Sequence, residues 1–144
     1  MADIFERLAR GVSCPTLTDT AEVARALAGA IGEDCALALL GDLGSGKTAF
    51  VKALARALGI ERTVKSPTFN ICCVYDIPRG GKLVHIDAYR FSGGAQFADL
   101  LVDEIAPPPR IVCVEWADIV KDYFDADYTL RFDISGGVHT IKLL

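Results

Sequence analysis

The sequence is short of the features that mark a membrane-bound, secreted or metal-stapled chain. Its longest uninterrupted apolar run is Cys35–Leu40, far below the roughly 20 residues that cross a bilayer as a helix. The opening segment, MADIFERLARGV, carries Asp3 and Glu6 and has no apolar h-region. No signal peptide is expected there, and a cytoplasmic location is the default. Histidine occurs twice and tryptophan once. The five cysteines, Cys14, Cys35, Cys72, Cys73 and Cys113, are odd in number and form no C-x-x-C pair, which argues against a disulfide framework or a zinc site. Four of them sit in apolar stretches and read as small buried hydrophobes. A basic cluster is missing too. The net charge is −4 with Lys and Arg scattered, whereas gripping nucleic acid needs a basic face. Work on a nucleic acid held by a partner stays open.

What is present suits one domain over residues 1–144, long enough to bury a full core. Helix-like and strand-like segments alternate. Asp19 with Glu22 three residues on resembles a capping box, and Val23, Leu27 and Ile31 step by four toward Gly32. Residues 36–40, ALALL, have no polar face and read as a buried central strand. Phe50, Leu54 and Leu58 give a second helix that Gly59 ends. Residues 70–77 and 82–87 form one expected hairpin, and 128–135 and 138–143 flank Gly136-Gly137 as another. Residues 95–105 and 117–124 are further helix candidates, and 111–115 is an apolar strand. The expected fold class is a three-layer α/β, P-loop NTPase-like domain with a mixed, largely parallel sheet and antiparallel hairpins.

Residues 41–48, GDLGSGKT, satisfy G-x-x-x-x-G-K-[ST]. An apolar strand precedes them and an amphipathic helix follows, as the motif requires. Gly41, Gly44 and Gly46 permit backbone shapes closed to other residues, so that N–H groups from Gly41, Asp42, Leu43, Gly44, Ser45 and Gly46 can approach phosphate oxygens. The helix N-terminus adds the positive end of its dipole. Lys47 reaches the β- and γ-phosphates, and the Thr48 hydroxyl can ligate Mg²⁺. This points to a purine nucleoside triphosphate with Mg²⁺; the lack of N-K-x-D favours ATP over GTP.

A P-loop needs an acid at the end of a neighbouring strand. Asp87 ends KLVHID and Glu115 ends IVCVE, and both would lie at the carboxyl edge of a parallel sheet. Which acid holds the cation and which orients water is open at this level. Ser66 and Thr68, in SPTF, offer hydroxyls that could reach a γ-phosphate, although Ser-Pro is also an ordinary turn former. His85 alternates with apolar neighbours and reads as a hydrogen-bonded structural residue. Trp116 reads as a core or interface aromatic.

Taken in order, GDLGSGKT, VKSPTF, HIDAYR and VEW resemble the TsaE/YjeE family, small bacterial P-loop ATPases needed for threonylcarbamoyladenosine modification of tRNA. The resemblance implies catalytic roles for Lys47, Thr68, Asp87 and Glu115. It implies nucleotide binding by residues 41–48 and Ser66, and Mg²⁺ ligation by Thr48, Asp87 and Glu115. Tyr89, Arg90 and Trp116 become functional candidates. The expected cofactors are ATP and Mg²⁺. The expected partners are TsaD and TsaB, with tRNA met only through that complex and no membrane contact. Two positions depart from the family pattern. Ala117 follows Trp116 where many relatives have Pro, and His139 stands in the last hairpin where many carry Arg. The competing readings are a small-molecule P-loop kinase, against which the missing Arg-rich lid counts, and a nucleotide-gated binding module with negligible turnover.

Overall fold

The computed structural model describes residues 3–64 and 71–144; the Ser66 and Thr68 expectations lie outside them. In chain order the elements are α1 (Ile4–Arg10), β1 (Val12–Cys14), α2 (Leu17–Ala30), β2 (Cys35–Leu40), α3 (Lys47–Ala57), β3 (Cys72–Asp76), β4 (Lys82–Asp87), α4 (Ala95–Ala98), α5 (Val102–Ile105), β5 (Arg110–Glu115), a 3-10 turn (Ala117–Val120), β6 (Tyr128–Ser135) and β7 (Val138–Leu143). The strands form one seven-stranded sheet in the order β1-β7-β6-β2-β5-β4-β3. Its four central strands are parallel, through β6–β2, β2–β5 and β5–β4. The flanks, β1–β7–β6 and β4–β3, are antiparallel.

Strand alternation makes the three layers. On β2 and β5, Leu37, Leu39, Ile111 and Cys113 face one cluster with Phe50, Leu54 and Leu27 from α3 and α2. The alternate residues Ala38, Val112 and Val114 face a second cluster with Val102 and Val120. A strand apolar on both faces has to be central, which is why ALALL carries no polar stripe. Among the described residues no helix is long and apolar enough to cross a membrane.

Four expectations change. The capping box of α2 lies one turn earlier: Thr16 Oγ1 accepts from the Asp19 backbone N–H at 3.3 Å, while Asp19 Oδ2 accepts from the Thr16 N–H at 2.9 Å. Asp19 is the returning acid, not the cap. The 95–105 helix is broken into α4 and α5 at Leu101, which sits in the left-handed region at φ 54°. That turn sends Val102 into the second cluster and leaves Leu101 53% exposed. The segment after Trp116 closes only a 3-10 turn, ending at Val120. Finally, α1 and β1 have no strong local signal. Val12–Cys14 is a strand because it pairs with His139, Thr140 and Ile141 of β7.

Candidate functional site

The chain leaves β2 at Leu40 and returns to begin α3 at Lys47, with Gly41, Gly44 and Gly46 at φ 146°, 77° and 105°. At Gly41 a Cβ would stand 2.7 Å from Ser45 Oγ and inside contact distance of the Phe132 carbonyl. Only glycine fits the first turn of the loop. The loop is tied to its own lysine. Lys47 Nζ donates to the Gly41 carbonyl, and to the Asp42 carbonyl at 2.9 Å. It also lies 4.5 Å from the centre of the Trp116 ring, within cation–π range. Lys47 is only 4% exposed. Burial pushes its ammonium below the ordinary 10.5, and the carboxylates of Glu115, Asp87 and Asp42 pull it back up.

The two strand-end acids arrive where the sequence put them. Asp87 and Glu115 are in-register neighbours at the ends of β4 and β5. Backbone bonds past those ends hold the rim: Ala88 N–H to Glu115 O at 3.0 Å, and Trp116 N–H to Leu39 O at 3.1 Å. Glu115 is buried, and the Thr48 hydroxyl donates across both its carboxylate oxygens at 3.2 and 3.1 Å. Asp87 is half-buried and its Oδ1 accepts the Tyr89 N–H at 3.0 Å. Two carboxylates and a hydroxyl make an all-oxygen donor set, which suits a hard cation. Residues 43–49 line one cleft of about 380 Å³ together with Asp87, Glu115, Trp116 and His139. A cleft of about 510 Å³ elsewhere, beside Phe97, Leu101 and Tyr123, carries none of this chemistry.

Trp116 is half-buried, holds φ 58°, and stacks at a tilt on Tyr89 with ring centres 5.0 Å apart. Arg90 is exposed beyond that pair. Gly41, Asp42, Leu43, Gly44, Ser45, Gly46, Lys47, Thr48, Asp87 and Glu115 thus meet at one edge of the sheet, whereas Ser66 and Thr68 are not described.

Sequence reasoning left the role of His139 open, and read His85 as the hydrogen-bonded buried residue that it is. His139, 94 positions along the chain from Ser45, lays Nδ1 2.9 Å from the Ser45 carbonyl and packs against Gly46. Its only sequence signal was its place in the final hairpin. His85 is fully buried, and its Nε2 lies 2.5 Å from Glu115 Oε2. Its Nδ1 has no hydrogen-bond partner among the described residues.

The family model described as threonylcarbamoyl adenosine biosynthesis protein TsaE matches residues 14–140. The tRNA threonylcarbamoyladenosine biosynthesis protein TsaE of Streptomyces coelicolor is 35% identical over 118 residues, 81% of this chain and 80% of that one. The TsaE of Treponema pallidum is 35% identical over 118 residues, 81% of this chain and 84% of its own. Among solved structures, YdiB of Bacillus subtilis superposes with a TM-score of 0.69 at 28% identity, covering 92% of this chain and 82% of that one. On a match that runs from Cys14 in β1 to Thr140 in β7, the chain belongs to the TsaE family of threonylcarbamoyl adenosine biosynthesis proteins.

Proposed function

We propose that the chain binds ATP with Mg²⁺ in the cleft over residues 41–48 and hydrolyses it, as the nucleotide-driven component of tRNA threonylcarbamoyladenosine formation in the cytoplasm. The observation that carries this reading is the convergence of three oxygens' worth of chemistry at one sheet edge: the Thr48 hydroxyl donates to Glu115, and Glu115 stands beside Asp87 in register. Because the Thr48 proton points at Glu115, the lone pairs of Thr48 Oγ1 are left for a cation. Thr48, Asp87 and Glu115 would hold Mg²⁺, which when bound supplies positive charge to the β- and γ-phosphate oxygens.

The chain's own groups do the rest. The loop N–H groups and the α3 N-terminus receive phosphate oxygens. Lys47 brings a charge already stripped of most water, which strengthens its pull on the γ-phosphate. Asp87 and Glu115 divide between them the holding of the cation and the orientation of the attacking water. Ser66 and Thr68 are proposed to complete the γ-phosphate side.

The partners in this reading are TsaD and TsaB, met in a nucleotide-dependent way, and the tRNA is met only through them. The net charge of −4 supports that division, and the curated relatives carry the pathway in their names. The test is capture of TsaD and TsaB by the immobilised chain with ATP, with ADP and with no nucleotide, alongside phosphate release with no added acceptor. Nucleotide-dependent capture with phosphate release is expected. Capture indifferent to nucleotide, or phosphate release only when a small-molecule acceptor is added, would overturn the proposal.

A further inference from the structure

We infer that His85 is a positioning residue for Glu115: its Nε2–H pins one carboxylate oxygen, Oε2, and so fixes the plane in which the other, Oε1, faces the cleft. The inference rests on the hydrolytic reading of that cleft.

His85 stands where packing asks for a hydrocarbon. On β4 it shares the α3-facing side with Leu83, and its in-register neighbours are Cys73 on β3 and Cys113 on β5. Leu83 and Cys113 belong to the apolar cluster that contains Phe50 and Leu54. The imidazole is nonetheless 0% exposed, with one nitrogen on Glu115 at 2.5 Å and the other without a partner among the described residues. An aliphatic side chain would fill the place. What an aliphatic residue cannot do is donate to Glu115.

The donor matters because of how Glu115 is held. A carboxylate only accepts, so Nε2 carries the proton. Glu115 is 4% exposed, which limits the help water can give. Its other donor, Thr48 Oγ1, lies 3.2 Å from Oε1 and 3.1 Å from Oε2. That hydroxyl straddles the carboxylate and does not choose between its oxygens. His85 contacts Oε2 alone. It therefore breaks the symmetry: Oε2 is spent on the ring, the carboxylate plane is fixed, and Oε1 keeps its remaining lone pairs for the cleft. Partners that orient a ligating group in this way are as a rule worth about 10–100-fold in activity or metal affinity.

The experiment uses the full chain with its partner proteins and three variants, His85→Leu, His85→Gln and Glu115→Ala. Leu fills the space without a donor; the Gln amide nitrogen takes the place of Nε2. The expected result is that His85→Leu lowers kcat about 10–100-fold while the KM for ATP moves less than about threefold, and that His85→Gln recovers most of the loss. Imidazole ¹⁵N spectra of the wild type, recorded without nucleotide or metal, should show a protonated Nε2, with its resonance displaced in Glu115→Ala. If His85→Leu does not fold, His85→Asn replaces it, since its shorter amide does not reach Glu115. The inference is overturned if the donor-less variant keeps wild-type kcat, if His85→Gln is no better than it, or if Nε2 is indifferent to Glu115→Ala. A wild type that releases no phosphate at all would sink the hydrolytic reading instead, and the imidazole spectra would still decide the role of His85.

Discussion

Replacing Glu115 by Gln separates the chemistry of this site from its packing. The amide keeps the size of the side chain and one acceptor oxygen. His85 Nε2, 2.5 Å from Oε2, claims that oxygen, so the new NH₂ takes the place of Oε1, 3.2 Å from Thr48 Oγ1. Thr48 keeps an acceptor in the remaining oxygen at 3.1 Å, but the site loses one carboxylate charge and gains an NH₂ that repels a cation. For stability the terms nearly offset. Two charge-assisted bonds become neutral ones, a loss of roughly 1–2 kcal/mol each. Against this, a 4%-exposed carboxylate no longer has to be desolvated, which relieves several kcal/mol. The net should stay within about 2 kcal/mol, a shift in Tm of less than about 8 °C for a chain of this length. For turnover there is no such offset. Losing one preorganised electrostatic contact to the reacting phosphates costs about 2.7–4 kcal/mol, or 10²–10³ in rate. Partner-stimulated phosphate release and a thermal scan on the same preparation check both halves. Glu115→Gln with turnover within about threefold of wild type, or with a loss that merely tracks the unfolded fraction, would refute the reasoning.

Lys47→Ala removes the ammonium that the described residues place at the loop and should abolish nucleotide-dependent function; titration with a fluorescent ATP analogue and a complementation assay read it out, and normal complementation would rule out the P-loop reading. Trp116→Ala loses the ring that faces Lys47 and stacks on Tyr89, and should reduce partner-stimulated turnover more than nucleotide affinity, whereas equal losses would mark Trp116 as a packing residue only. Burial pushes the Cys35 thiol up to about 12 and that of Cys72 up to about 11, from 9.0. Above pH 9 the folded chain therefore holds protons that the unfolded chain gives up, so this stabilisation is whole below about pH 9 and fades as pH climbs toward 11–12. Lys47, displaced downward, works in the opposite sense, but it is one group against several thiols. Urea midpoints at pH 8 and pH 10.5 should show the fall, and Cys35→Ala should make it shallower; an unchanged slope in that variant would contradict the assignment.

The parts of this protein that were legible in the sequence are those whose cause is local. The loop at 41–48 could be read because its G-x-x-x-x-G-K-[ST] spacing is a local signature, and β2 because a strand covered on both faces has no polar period to hide it. Both hairpins announced themselves through glycine. The strand-end acids could be found as a pair, since parallel strands put their carboxyl ends together, but not ranked, since nothing in IVCVE or KLVHID says which carboxylate meets Thr48. That ranking needed contacts that span the chain: Thr48 to Glu115 across 67 positions and His85 to Glu115 across 30. The same limit explains β1, which is a strand only through β7, and the break at Leu101, where apolar spacing continues while the backbone turns left-handed. It explains His139 most directly. A histidine in an exposed hairpin has no local reason to matter, yet β7 runs back beside the loop and brings Nδ1 to the Ser45 carbonyl. Among the described residues, three separate parts of the chain therefore meet at the cleft: the 41–48 loop, the ends of β4 and β5, and the final hairpin. The last of these carries no signature that can be recognised without the fold.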